Sequence, residues 1–311
     1  MENNNIGYCC INMDLSDKGI KVNRGMVKAT FAKKGIKYAG ELFEKNIRDM
    51  IEVLKWNRDN DIKVYRMSSS MCPWLSEYEL TDLPNYRKIC ILLAGAGKLV
   101  KETGQRLSTH PGPFTIICSP NEDLNAKGVK ELRQHAEVMD LMNLPQSPMA
   151  AINIHVGGTY GDKKETLERF CNNFKSLPDS VKSRLVIEND DKGSMYSVKD
   201  LYDGLHLNIQ VPITFDFHHH RFCDGGLSEQ EALQLATSTW GVHTPLTHYS
   251  SCKKTFEDSS SKAQAHADYV YEVIKTYGIS FDIEMESKAK ERAVLKYNKD
   301  KHTLLESYIP L

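Results

Sequence analysis

Three features that the sequence lacks limit the classes of protein to which it can belong. No run of 18 apolar residues occurs, which excludes a membrane-spanning helix of ordinary length. There is almost no net charge: 40 basic and 41 acidic residues give a formal charge of −1, so any nucleic-acid surface must come from local basic patches. The eight cysteines include no CxxC pair and no zinc-ligand spacing, so we expect reduced thiols rather than a disulfide framework.

The start of the chain also lacks targeting features. Residues 1–5, MENNN, resemble neither a secretory signal nor a basic transit segment. We therefore expect an intracellular protein, cytoplasmic or nuclear, that does not bind a membrane. We also expect it to be a monomer.

The residues that are present indicate a globular α/β protein. Hydrophobic residues make up 41% of the 311 positions and charged residues 26%, which is enough apolar material for a sizeable core. Short apolar runs predict strands at residues 6–10, 63–67, 106–109, 151–154, 184–187, 212–217, 246–249 and 281–285. Amphipathic segments predict helices at residues 41–57, 85–103, 127–142, 164–175, 198–204, 228–238, 263–277 and 289–297.

This alternation predicts the architecture. Strands that alternate with helices pair in parallel through crossovers, and eight such units fit a closed (β/α)8 TIM barrel of the α/β class. No Pro-, Gly- or Ser-rich linker divides the chain, so we expect a single domain over residues 1–311. Residues 18–37 have weak periodicity, and we predict that they form a long loop or lid after the first strand.

Polar residues suited to metal binding follow nearly every predicted strand. Active sites of this fold lie where the C-terminal strand ends converge. In chain order the candidates there are Tyr8, Asn12, Glu77, His110, His155, Glu188, Asp216, His218, His219, His220, His248, His266 and Glu286. A single histidine at a strand end is ordinarily a structural residue, and the three consecutive histidines cannot all face inward because strand faces alternate.

The recurrence of these residues at one end of the barrel nevertheless predicts a metal site. Imidazole and carboxylate are the ligands that hold divalent Mn, Fe or Zn. So many of them exceed the needs of one ion and suit two or three ions, which is the arrangement used for phosphoester hydrolysis.

Nine segments, taken in order, resemble the UV damage endonuclease family. They extend from residue 7 to residue 291 and read GYCCIN, YRMSSSMCP, LSTHPGPF, INIHVGGTYGDK, LVIENDD, VPITFDFHHH, LTHYSS, QAHAD and IEMESKAKE. The resemblance implies a barrel related to endonuclease IV and to xylose-isomerase-like enzymes, with a manganese-type cluster. It also implies DNA repair by nicking damaged double-stranded DNA on the 5′ side of cyclobutane dimers and 6-4 photoproducts, and in some members at abasic sites.

The resemblance further implies which residues form the site. Matched position by position, the metal ligands are Glu77, His110, His155, Glu188, Asp216, His219, His248, His266 and Glu286. From these we take the catalytic group to be Glu188, Asp216, His219 and Glu286. The residues expected to contact DNA are Tyr8, Asn12, Pro113, Phe114, Lys288 and Lys290. The expected cofactor is two or three divalent ions, Mn²⁺ by the resemblance.

The sequence departs from the family pattern at three places. Glu77 stands where better-known members have a histidine, and carboxylate still binds manganese. Pro113 and Phe114 replace a Gln-Tyr pair that probes the lesion, although an apolar wedge can also kink a duplex. Leu246 replaces a lysine that becomes an extra metal ligand. The preferred lesion and the number of ions are therefore left open.

Other functions are compatible with the same pattern. A sugar isomerase or epimerase shares the fold and the ligand types, and fold does not fix function. Endonuclease IV-like cleavage at abasic sites is a second alternative. A damage sensor that binds without cutting is a third, although such a protein has no use for nine metal-ligating residues.

Overall fold

The structure, a computed structural model, describes residues 4–306. Eight parallel strands form a closed barrel in chain order, which confirms the predicted TIM-barrel fold. The strands are β1 (Ile6–Cys9), β2 (Val64–Met67), β3 (Arg106–Thr109), β4 (Ile152–Ile154), β5 (Leu185–Glu188), β6 (Ile213–Asp216), β7 (Leu246–Tyr249) and β8 (Asp282–Met285).

Each connection between consecutive strands contains at least one helix, and a last helix follows β8. The helices are α1 (Met13–Ser16), α2 (Lys28–Asp59), α3 (Tyr86–Thr103), α4 (Glu122–Leu141), α5 (Lys163–Lys175), α6 (Asp179–Lys182), α7 (Val198–Leu201), α8 (Leu207–Ile209), α9 (Phe217–His220), α10 (Glu229–Ser238), α11 (Lys253–Phe256) and α12 (Glu291–Glu306). Short 3-10 turns lie at Leu75–Glu77, Leu80–Asp82 and Pro148–Ala150, and Tyr202–His206 form a π-helical turn. No helix among residues 4–306 is long and apolar enough to cross a membrane.

Internal contacts group the described residues into two compact units, residues 10–187 and residues 4–9 with 188–306. In the first unit, β2 pairs with β3 and β4 with β5. Helix α2 buries Phe43, Ile47, Met50 and Leu54, which recur every three or four residues and so share one face of the helix. Helix α3 must have glycine at Gly97, because a Cβ there would lie 1.6 Å from the carbonyl oxygen of Met142.

In the second unit, β8 lies between β1 and β7, with Ile6 opposite Ile283 and Leu246 opposite Asp282. Most of each of these strands is buried, because side chains that face into a barrel and side chains that face its helices are both shielded from water. Helix α10 begins with a capping box formed by Ser228 and its first-turn glutamate, so the first free amides are satisfied locally.

Two predictions of secondary structure are wrong. The helix predicted at residues 263–277 does not form, and the chain between α11 and β8 is irregular. Its amides bond to distant partners instead: Ala267 N donates to Ser251 O at 2.9 Å, and Tyr271 N donates to Ser251 Oγ at 3.1 Å. These long-range bonds replace the local i to i−4 bonds that a helix would need.

The second error concerns part of the loop or lid predicted at residues 18–37: residues 18–27 contain no helix or strand, but residues 28–37 do not form a loop. Helix α2 begins at Lys28, well inside that range, and extends to Asp59. It is kinked at Gly35, whose backbone angles of φ 61° and ψ −162° belong to a region that only glycine occupies readily. The kink interrupts the periodicity, which is why the sequence pattern identified only the part of the helix after it.

Candidate metal centre

Glu188, Asp216 and His219 converge at the ends of two neighbouring strands. Glu188 is the last residue of β5, and Asp216 is the last residue of β6. Asp216 Oδ1 accepts from the amide of His219 at 2.8 Å, so the aspartate caps α9 and places the two residues together. Each of the three side chains offers one ligand atom, and these atoms lie within 4.8 Å of one another.

His248 and Glu286 enlarge this group from the next two strands. His248 Nδ1 lies 3.2 Å from Glu188 Oε1 and 3.6 Å from Glu286 Oε1. The same Glu188 oxygen lies 3.2 Å from His219 Nδ1, so one carboxylate oxygen sits between two imidazoles. We call Glu188, Asp216, His219, His248 and Glu286 the acid–histidine group.

His266 reaches this group from the irregular segment that the sequence predicted to be helical. An isolated antiparallel bridge pairs Cys252 with His266, and Ser250 Oγ lies 2.7 Å from His266 Nδ1. His266 Nδ1 is 3.8 Å from Glu286 Oε2. Backbone pairing rather than helix geometry therefore positions this histidine.

The three consecutive histidines, His218, His219 and His220, lie in different surroundings, as backbone geometry requires. His219 contacts the carboxylates, whereas the ring of His218 lies 5.1 Å from the ring of His266. The ring of His220 packs against Phe215 at 5.3 Å. Of the three, His219 is the residue that the acid–histidine group contains.

The electrostatics of the group reflect buried negative charge. Burial raises the pKa of Asp216, and the carboxylates of Glu188 and Glu286 raise it further against the opposing effect of His219. Burial acts to lower the pKa of His219, but the carboxylates of Asp216 and Glu188 outweigh it and raise the pKa to about 11. In the metal-free chain a protonated His219 therefore balances part of the buried carboxylate charge.

A divalent cation would balance the same charge without those protons. Carboxylate oxygen and imidazole nitrogen suit Mn, Fe and Zn. Asp216 Oδ2 is fully buried and has no hydrogen-bond partner among the described residues, which is costly for a carboxylate unless a cation meets it. The residues present therefore fit a bound divalent metal.

Glu284 is a further contributor that the sequence reasoning missed. It is fully buried in β8, and its Oε2 lies 3.1 Å from His248 Nε2. A carboxylate on the second nitrogen fixes the tautomer and orientation of a metal-binding histidine. The signal was available, because Glu284 and Glu286 are two residues apart and share one strand face.

Two further predicted ligands lie together in the unit of residues 10–187. His110 follows β3 and His155 follows β4, and their rings lie 5.5 Å apart. His135, to which the sequence assigned no role, lies beside them: its Nδ1 is 3.3 Å from Thr109 Oγ1. Burial, and then the nearby His110, lowers the pKa of His135 to about 4.

The structure leaves Glu77 outside these clusters. Glu77 is exposed in the 3-10 turn after β2, and the hydrogen bond that its side chain forms, 3.5 Å long, is with Ser76. Tyr8 is fully buried in β1, and Asn12 is buried with its Oδ1 capping α1. Both residues therefore have structural contacts in the absence of DNA.

The other predicted DNA contacts lie at the surface. Phe114, in the loop after β3, is 90% exposed, which is unusual for a large aromatic side chain. Pro113 beside it is exposed as well. After β8, Lys288 is exposed and Lys290 is half-buried. These four side chains are accessible to a macromolecular partner.

Comparison with known proteins identifies relatives over nearly the whole chain. The sequence model of the family described as UV-endonuclease UvdE matches residues 4–307. A UV-damage endonuclease of Schizosaccharomyces pombe is 33% identical over 307 residues, which cover 94% of this chain and 49% of that protein. A UV DNA damage endonuclease of Bacillus cereus is 33% identical over 276 residues, which cover 83% of this chain and 81% of that protein. The chain thus spans about half the length of the fungal relative and most of the bacterial one.

Solved structures agree with the sequence comparison. The structure described as SacUVDE matches with a TM-score of 0.83 and 29% identity, over 97% of this chain and 99% of that one. A D-psicose 3-epimerase from Clostridium cellulolyticum H10 matches with a TM-score of 0.53 and 13% identity, over 77% of this chain and 79% of that one. At that identity the epimerase shares the fold alone.

Proposed function

Because the chain belongs to the UV-damage endonuclease family, we propose that it is a DNA repair endonuclease that hydrolyses the phosphodiester on the 5′ side of UV photoproducts. The observation that carries the proposal is the acid–histidine group, in which a buried carboxylate oxygen of Asp216 lacks a hydrogen-bond partner among the described residues. Such a group is unsuited to a core and suited to cations.

The acid–histidine group would hold the metal. Glu188, Asp216 and His219 offer the first three ligand atoms. His248 lies next to Glu188 and Glu286, so these two residues can supply further ligand atoms. We propose that the ions are Mn²⁺ and that His266 and the pair His110 and His155 complete a cluster of two or three ions. When bound, such ions supply an activated water and stabilise charge that develops on the phosphate.

The residues of the chain then have distinct tasks. Glu188 and Asp216 supply the negative charge that retains cations, and Glu284 orients His248 through the 3.1 Å contact. Water would attack the phosphorus and the P–O3′ bond would break, with no serine or cysteine nucleophile required, so the products would be a 3′-hydroxyl and a 5′-phosphate. The exposed Phe114 is suited to fill the space left when a damaged pair unstacks, and Lys288 is suited to contact phosphate.

Damage would be recognised by deformability. A lesion weakens stacking and so lowers the free energy needed to bend or unstack the duplex at that position. An apolar wedge such as Pro113 and Phe114 makes no base-specific hydrogen bond, which favours a range of distorting lesions over a single one.

A nicking assay tests the proposal. The protein with Mn²⁺ is incubated with end-labelled duplexes that contain a cyclobutane dimer, a 6-4 photoproduct, an abasic site or no lesion, beside the Asp216→Ala variant. We expect a nick immediately 5′ of the photoproducts that the variant does not make. Cleavage at the abasic site alone, or of no duplex, would contradict the proposal.

A further inference from the structure

The loop before α2 and the first part of that helix carry charge of one sign. Residues 18–40 include seven basic side chains and no acidic one. The rest of the helix differs, because residues 41–59 carry five acidic and four basic side chains, with pairs such as Lys55 and Glu52 at 2.8 Å. An ordinary solvated helix face mixes charges in this second way. We call residues 18–37 the basic segment.

The positive charge of the basic segment is open to solvent. Its exposed lysines are Lys18, Lys21, Lys28, Lys33, Lys34 and Lys37. Within the part of the chain that the structure describes, the one basic side chain of the segment in an ion pair is Arg24, which contacts Asp49 at 2.7 Å. A cluster of exposed like charges repels itself and attracts a polyanion.

The basic segment is held in place rather than loosely attached. The ring of Phe31 stacks on Trp74 with centroids 5.4 Å apart and planes 12° apart, and Trp74 Nε1 donates to Met26 O at 2.8 Å. Asn46 is fully buried and bonds to both backbone groups of Arg24 at 2.9 and 3.0 Å. The lysines are therefore displayed from an ordered backbone, which lowers the entropy lost on binding.

The anchor of the segment lies at the functional end of the barrel. Trp74 follows the C-terminal end of β2, as His110 follows the C-terminal end of β3, and parallel strands place both at one end. The backbone of Trp74 has φ 58°, a left-handed conformation that is uncommon for a bulky residue and is found where a site constrains the chain. One cavity is lined by Gly25 and Met26 of the segment, by Trp74 and by His135, a residue near enough to His110 for the two to interact electrostatically, so the basic segment lies near a candidate metal-binding residue.

We propose that the basic segment is a phosphate-binding surface that holds the DNA duplex flanking the reacting nucleotide, through contacts independent of base sequence. Lys28 and Lys34 are separated by about 9 Å along the helix axis, and successive phosphates of one strand rise about 3.4 Å, so the segment can reach several phosphates. The inference rests on the proposed function, which makes double-stranded DNA the polyanion. The chain of net charge −1 would bind DNA through this concentrated patch.

Binding of an undamaged duplex tests the inference apart from cleavage. The test variant replaces four lysines of the segment by glutamine: Lys28, Lys33, Lys34 and Lys37. The control variant makes the same change in net charge at exposed lysines toward the C-terminal ends of α2, α3 and α5, which lie at the opposite end of the barrel: Lys55, Lys98, Lys101 and Lys175. Fluorescence anisotropy of a labelled duplex is measured with Mn²⁺-loaded protein from about 50 to 200 mM salt.

We expect the test variant to bind the duplex about tenfold more weakly or worse at 0.1 M salt. The slope of log affinity against log salt should fall by about 2 to 4, since each lost phosphate contact removes about 0.9. The control variant should keep the affinity and slope of the parent. Thermal denaturation and circular dichroism establish that both variants fold.

Three results would overturn the inference. One is an unchanged affinity and slope in the test variant, and another is an equal loss in both variants, which would reflect net charge alone. The third is loss of binding to phosphatidylserine vesicles in the test variant with DNA binding unchanged, which would assign the segment to an anionic membrane surface. Cleavage that fails while lysine-dependent binding persists would contradict the proposed function and leave this inference intact.

Discussion

Asparagine in place of Asp216 separates a metal-binding role from a structural one. Asparagine caps a helix about as well as aspartate, so the bond to the amide of His219 is preserved. The pKa of Asp216 is raised in the folded chain, which means that its ionised form opposes folding at neutral pH in the absence of metal. Without metal, Asp216→Asn should therefore be at least as stable as the parent.

With metal bound, the parent should instead be more stable than Asp216→Asn. At a concentration of about 100 times Kd, a ligand that binds only the folded state stabilises it by about 2.7 kcal/mol. For a chain of this size that corresponds to a rise in Tm of roughly 5 °C. Asp216→Asn should lose most of this gain in Tm, because it removes one of the buried carboxylate charges that would hold the cation.

Calorimetry in EDTA and in Mn²⁺ measures both effects. Asp162→Asn is the matched control, since Asp162 caps α5 by the same bond to a backbone amide but is exposed and belongs to neither group of possible metal ligands. Mn²⁺ should raise the Tm of Asp162→Asn as much as it raises the Tm of the parent. An Asp216→Asn protein that is less stable in EDTA and gains as much from Mn²⁺ as the parent would refute the reasoning.

Three further outcomes are expected. Glu284→Gln should weaken metal affinity by roughly 10- to 100-fold, because the contact with His248 is altered, and titration calorimetry measures this. The control variant Asp282→Asn, on the same strand, should keep the metal affinity of the parent. Equal losses of affinity in both variants would indicate damage to the strand. Gly35→Ala should lower the free energy of unfolding by about 1 to 3 kcal/mol because of its backbone angles, whereas Gly25→Ala should be nearly neutral; equal stability of the two variants would contradict this. Phe114→Ala should leave Tm unchanged, because the side chain is exposed. It should lower the rate of nicking of a lesion duplex roughly 5- to 150-fold, since one stacking contact is worth about 1–3 kcal/mol. An unchanged rate would show that Phe114 does not act as a wedge.

Local pattern identified much of the fold. Strand β3 and strand β7 have the predicted bounds, and the other strands differ by one residue at either end. This succeeded because a strand of a closed barrel must be apolar over a short run and must end in polar residues at the functional face. For the same reason the ligand types at the ends of β5 and β6 could be read from the sequence.

Residues placed by distant contacts could not be predicted. His266 lies in a segment whose helical periodicity is overridden by hydrogen bonds to Ser251 and by the bridge to Cys252. The periodicity of apolar residues does not report hydrogen bonds between residues far apart in the chain, so it predicted a helix. The selection of His219 from three consecutive histidines came from the family resemblance, and only the cap formed by Asp216 shows physically why that histidine contacts the carboxylates.

The sequence by itself determined the order of strands and helices, the kinds of ligand and the concentration of positive charge in residues 18–37, because these depend on residue types at fixed spacings. Only the tertiary structure decided that Glu284 contacts His248 and that Trp74 anchors Phe31. It also decided that Asp216 retains a buried oxygen without a hydrogen-bond partner among residues 4–306. Each of these depends on side chains from elements far apart in the chain, whose distances are fixed by packing and not by sequence spacing.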